Sequence, residues 1–87
     1  MELESRIQAL IAVGASVSAN CQPCLQSTIA MALESGSSER EITEAIEVGK
    51  RVRKGAASKM DKFASEQNLV VPMSVAAAGS RHECGCL

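Results

Sequence analysis

The amino-acid sequence predicts an all-α protein, a small antiparallel helical bundle completed by oligomerisation. Three observations predict it. Apolar residues recur at helical spacing through most of the chain. Helix start and stop signals bracket each periodic stretch. No stretch alternates apolar and polar residues over the length of a strand.

Leu3, Ile7, Leu10, Gly14 and Val17 fall on one helical face, which predicts a first helix over about residues 3–19 with Asn20 at the break. A second helix follows over about 21–34. Pro23 is acceptable there because a first-turn N–H has no helical partner to lose, and Gly36 supplies the stop. Ser38 and Glu41 have the spacing of a capping box and predict the start of a third helix. Ile42, Ala45, Ile46, Gly49, Val52, Ala56, Met60 and Phe63 then form one long stripe. Glutamates crowd the start of this stretch and basic residues follow, an order that suits the helix dipole. Glu47 and Arg51 have the spacing of an i,i+4 ion pair. Gly55 predicts a division into two helices, near 38–54 and 56–67. Gly14 and Gly49 sit on apolar faces, where a missing side chain lets two helices approach closely, within one chain or between subunits. The expected organisation is one helical domain over 1–67 and a C-terminal tail over 68–87, in which Pro72 forbids a simple helix.

Composition narrows the function classes. A chain of 87 residues holds one domain and buries a modest core. The apolar content of 46% is carried by aliphatic residues, with one Phe and no Trp or Tyr. Such a core predicts self-association. A net charge of −1 argues against nucleic acid as a partner. No apolar run reaches the roughly 20 residues of a membrane span. The leader "MELESR" has the wrong charge for a signal peptide, so a cytoplasmic protein is expected.

Chemistry concentrates in "SANCQPCLQSTIAMAL", where Cys21 and Cys24 are two residues apart at the start of a helix. Three readings are open: a redox pair, half of a zinc site, or two small buried hydrophobes. The redox reading rests on the helix N-terminus, which favours a thiolate. The spacing also lets the two sulfurs meet within one turn, so that one attacks a substrate and the other resolves the product.

The order "ANCQPC", then "LQSTIAMALESGSSEREITEAIEVG", then a further helix, resembles the alkylhydroperoxidase D-like, carboxymuconolactone decarboxylase family over about residues 5–65. The resemblance implies an all-helical fold that assembles as homotrimers or homohexamers. It implies thiol peroxidase or disulfide-reductase chemistry at Cys21 and Cys24, with a peroxide or disulfide substrate and a dithiol reductant. It also makes Cys24 the substrate-facing thiol and Cys21 the resolving one, whereas the helix dipole alone favours Cys21 as the more acidic. The sequence departs from the peroxidase-type pattern in three places. Thr28 stands where a histidine belongs, Pro23 stands where a histidine often precedes the second cysteine, and Ala9 stands near the place of the relay glutamate. A threonine cannot act as a base near neutral pH. The decarboxylase branch lacks the cysteine pair, so decarboxylation is not carried over. "CQPC" also resembles the "CGPC" of thioredoxin, but locally, without the strands of that fold.

The remaining motifs have plainer readings. His82, Cys84 and Cys86 form an H-x-C-x-C tail. They are incidental thiols, a relay to the Cys21–Cys24 pair, or metal ligands. Cys21, Cys24, Cys84 and Cys86 could together hold zinc, which gives the alternative function: a metal-binding or redox-sensing module without turnover. The final "CGCL" lacks the aliphatic centre of a prenylation box. The run "GKRVRKGAASKMDK" carries six of the nine basic residues and reads as a solvated helix face, or else as a site for a partner's acidic patch or a substrate carboxylate. The leading expectation is an enzyme, a thiol–disulfide oxidoreductase with peroxiredoxin-like activity at Cys21 and Cys24. Thr28, His82, Cys84 and Cys86 are its supporting candidates, with no cofactor and no resident metal.

Overall fold

The structure is a computed structural model and describes residues 2–67. It contains three helices, α1 (Ser5–Ser18), α2 (Gln22–Glu34) and α3 (Glu39–Ser65), with no strand among the described residues. The expected tail over 68–87, with His82, Cys84 and Cys86, lies outside them.

Each helix ends where local chemistry provides for its unpaired backbone groups. At the end of α1, Asn20 takes a left-handed conformation with φ 57°. Its N–H donates to the Val17 carbonyl at 3.0 Å, and the Cys21 N–H donates to the Ser16 carbonyl at 3.0 Å. Gly36, with φ 96°, closes α2 in the same way. Its N–H donates to Leu33, and the Ser37 N–H donates to Ala32. Both ends are Schellman turns, and both residues are types that tolerate positive φ. At the start of α3 the capping box forms: the Glu41 N–H donates to the Ser38 hydroxyl and the Ser38 N–H donates to the Glu41 carboxylate, each at 3.0 Å.

The helix α1 lies against both α2 and α3, which barely touch each other. Ala9 and Val13 from α1, Ala32 from α2 and Ile42 from α3 form the buried core, with Leu10, Leu25, Ile29, Ala45 and Ile46 packed around it. Small residues bring α1 and α3 close. A Cβ added to Gly49 would lie 2.5 Å from the Gly14 carbonyl oxygen and 2.9 Å from the Val17 Cβ. The close approach anticipated for these glycines is thus one within the chain. It is tied by the Ser18 hydroxyl, which is 3.1 Å from the Gly49 carbonyl oxygen. At the other end of α1, Arg6 pairs with Glu41 at 2.6 Å. The Ser38 backbone N–H, and after it Arg6, hold the Glu41 carboxyl below its ordinary value of 4.5.

Two expectations are corrected, and one gains a limit. Gly55 does not divide the third helix, because α3 runs unbroken through it. A single interior glycine costs about 1 kcal/mol relative to Ala, too little to outweigh the helical preference of the residues around it. Glu47 pairs with Lys50 at 3.2 Å rather than with Arg51. The long apolar stripe is also only half covered. Ile42 and Gly49 are buried, but Val52, Met60 and Phe63 are 58%, 64% and 61% exposed. The reason is length: α3 has 27 residues and α1 has 14, or about 40 Å against 21 Å. From Lys54 onward every residue of α3 is exposed.

Candidate functional site

The Schellman turn that ends α1 delivers Cys21 to the start of α2. Cys21 is the N-cap of α2, with extended backbone (φ −102°, ψ 99°), and Pro23 occupies the first turn as the sequence predicts. The Cys24 N–H donates to the Cys21 sulfur at 3.3 Å. Cys21 and Cys24 are joined by a disulfide, with their Cα atoms 5.2 Å apart. Of the open readings, the bond answers the one of two hydrophobes packing separately.

Cys21 is half-buried and Cys24 is exposed. Beside Cys21 a cavity of about 250 Å³ opens between the α1–α2 corner and α3. Val17, Leu25 and Ile46 give it apolar walls, while Lys50 and Arg53 reach it from α3. Arg53 donates to the Asn20 side-chain oxygen at 3.0 Å and to the Val17 carbonyl at 3.4 Å. Its guanidinium therefore caps the C-terminal end of α1, where a cation is favoured. Reading the basic run as a solvated face missed this, because the partners lie 33 and 36 residues away.

Thr28 is half-buried and its hydroxyl donates to the Leu25 carbonyl at 3.2 Å, with the Ser16 hydroxyl 3.4 Å away. No hydrogen bond joins Thr28 to either sulfur among the described residues. Ala9, near the expected place of a relay carboxylate, is part of the core. The described residues that line the cavity include no carboxylate and no imidazole. Among the described residues no group of three or more His, Cys, Asp or Glu side chains is placed to hold a metal ion.

The sequence profile of the carboxymuconolactone decarboxylase family matches residues 2–62, which takes in all of α1 and α2 and most of α3. The chain belongs to that family. No curated protein and no solved structure matches the chain. Family membership accounts for the all-helical bundle, and the Cys21–Cys24 pair lies within the matched segment. The paired cysteines are compatible with a redox role within this family. No helix among the described residues is long and apolar enough to cross a membrane.

Proposed function

We propose that the protein is a thiol–disulfide oxidoreductase in which Cys21 and Cys24 cycle between dithiol and disulfide. The observation that carries this reading is the disulfide at a helix N-terminus beside an open cavity. In the reduced protein, unpaired N–H groups of the first turn of α2 favour a thiolate at Cys21. The hydrogen bond from the Cys24 N–H to the Cys21 sulfur supports Cys21 as the attacking thiol and Cys24 as the resolving one. This reverses the order that the family resemblance implies.

With a hydroperoxide, the Cys21 thiolate attacks the distal oxygen, the O–O bond breaks, and an alcohol leaves after protonation. The resulting sulfenic acid is attacked by Cys24, which forms the disulfide and releases water. An external dithiol then reduces the disulfide and becomes a disulfide itself. With a disulfide substrate, the Cys21 thiolate forms a mixed disulfide and expels one thiol. Cys24 then attacks Cys21 and expels the second.

Self-association is part of the same reading. A second groove of about 450 Å³ runs between α1 and α3 and is lined by apolar residues, among them Ile7, Ile11, Val48 and Val52. A second copy of the chain would cover these residues and enlarge a small core, as the homotrimer or homohexamer implied by the resemblance would do.

The decisive experiment follows turnover of a hydroperoxide and of a small disulfide, with a dithiol as reductant. Wild type should turn over at least one of them, and Cys21→Ser and Cys24→Ser should not. Stoichiometric metal in protein purified without chelator, with no turnover, would instead favour the metal-binding or sensing alternative.

A further inference from the structure

The cavity beside Cys21 brings three kinds of lining residue together. Its lining includes Cys21, the apolar side chains of Val17, Leu25 and Ile46, and the two cations Lys50 and Arg53. Among the described residues nothing neutralises the charge on Arg53. Its hydrogen-bond partners, the Asn20 side chain and the Val17 carbonyl, are both neutral, and both are reached through one nitrogen, Nη1. Among the described residues it has no carboxylate partner. Lys50 does pair with Glu47, but both side chains are more than half exposed, so water screens the pair. Glu47 is not part of the cavity wall.

We infer that Lys50 and Arg53 form a carboxylate-binding subsite, and that the cavity takes a small disulfide or thiol in which a short aliphatic segment joins sulfur to carboxylate. This rests on the redox reading of Cys21. The guanidinium, with one nitrogen engaged by α1, presents its remaining donors as a fork suited to a carboxylate. The apolar residues that share the cavity with the cations and Cys21 suit a methylene chain. A cavity of about 250 Å³ has room for a compact molecule. The chemistry is ordinary exchange. The Cys21 thiolate bonds to one substrate sulfur and the other leaves as a carboxylate-bearing thiolate. Cys24 gives up its proton and attacks Cys21, the second carboxylate-bearing thiolate leaves, and both products take up protons.

The experiment uses three small disulfides of similar length and different charge: 3,3′-dithiodipropionate (anionic), hydroxyethyl disulfide (neutral) and cystamine (cationic). The reduced full-length chain is mixed with each, and exchange rates are compared for wild type, Lys50→Gln, Arg53→Gln and Arg53→Lys. A cation that merely makes Cys21 more acidic changes all three rates together. A subsite changes their ratio. The anionic-to-cationic rate ratio should fall about three- to tenfold in Lys50→Gln and Arg53→Gln, recover in Arg53→Lys, and shrink in wild type as salt is added. Lys50→Gln leaves the α1 cap intact, so its result stands even if Arg53→Gln unfolds. The same ratio in wild type and Lys50→Gln would overturn the subsite. If no disulfide exchanges, the redox reading itself fails, and the subsite is judged on adipate, a dicarboxylate without sulfur. Saturable adipate-induced NMR shifts at Arg53 and Gln22, weakened in Lys50→Gln, would uphold it, and their absence would overturn it.

Discussion

Gly49 faces Gly14 with no space for a side chain between them. The contact fixes how closely α3 approaches α1, and therefore how far Lys50 and Arg53 extend toward Cys21. Gly49→Ala should destabilise the protein by about 1–3 kcal/mol through overpacking, against a helix-propensity gain of about 1 kcal/mol. Gly55→Ala is the matched control, because nothing lies within 4 Å of a Cβ placed there. It should stabilise by up to about 1 kcal/mol. Urea denaturation of the two variants beside wild type measures both effects.

Cys21 caps α2 through its sulfur. Serine caps a helix well and alanine does not, so under reducing conditions Cys21→Ala should be less stable than Cys21→Ser by about 0.5–2 kcal/mol. In the proposed reading the same contact favours a thiolate at Cys21 in the reduced protein. Cys21 in the Cys24→Ser variant should be alkylated at lower pH than Cys24 in the Cys21→Ser variant. Iodoacetamide labelling as a function of pH gives the order.

Position 28 lies one turn beyond Cys24 on the helix that Cys21 caps. Its hydroxyl bonds to backbone and faces Ser16, so it offers no base to a sulfur. Native peroxide reduction should be slow, and Thr28→His should raise it toward the roughly 10²–10⁴-fold typical of general-base assistance. Hydroperoxide consumption by wild type, Thr28→His and Thr28→Ala tests this. Equal rates in all three would leave position 28 a packing residue.

The lowered carboxyl of Glu41 predicts a pH dependence. Its folded-state value lies below its unfolded one, so its contribution is complete above the ordinary value of 4.5 and is lost as pH falls through the folded value. Glu41→Gln keeps an acceptor for the capping box but does not titrate there. Between pH 7 and pH 3, wild type should therefore lose more stability than Glu41→Gln. Urea midpoints at the two pH values give the comparison.

The apolar groove between α1 and α3 predicts the result of a surface substitution. Val52 lines it and is 58% exposed in the single chain. Val52→Asp should shift sedimentation toward a monomer while helicity persists. A monomeric wild type at micromolar concentration would show that the groove is not a contact between copies.

Much of this was legible because its causes are local. The Ser38–Glu41 box, the stop at Gly36 and the break at Asn20 each depend on a few neighbouring residues, and all three took the form their sequence suggested. The Cys21–Cys24 pair was legible for the same reason. Arg53 was not, since its role depends on the end of another helix, 33 residues away at Asn20. Nothing in a basic run marks Arg53 as the cation that caps α1. The stripe through Val52, Met60 and Phe63 showed that α3 is amphipathic but not what covers it, because periodicity records a face and not its neighbour. Gly55 misled because a local propensity cost was weighed without the length of helix on either side.

Cys21 belongs to two helix ends at once. Its backbone N–H closes α1 and its sulfur opens α2. Any change at the sulfur is thus made at the joint between those helices, and the joint itself can report it. When the Cys21 thiolate becomes one side of a mixed disulfide it loses its negative charge and holds the Cys24 amide less firmly. Hydrogen exchange at that one amide should then quicken and slow in step with the proposed redox cycle, giving a readout of it that needs no chromophore and no labelled substrate.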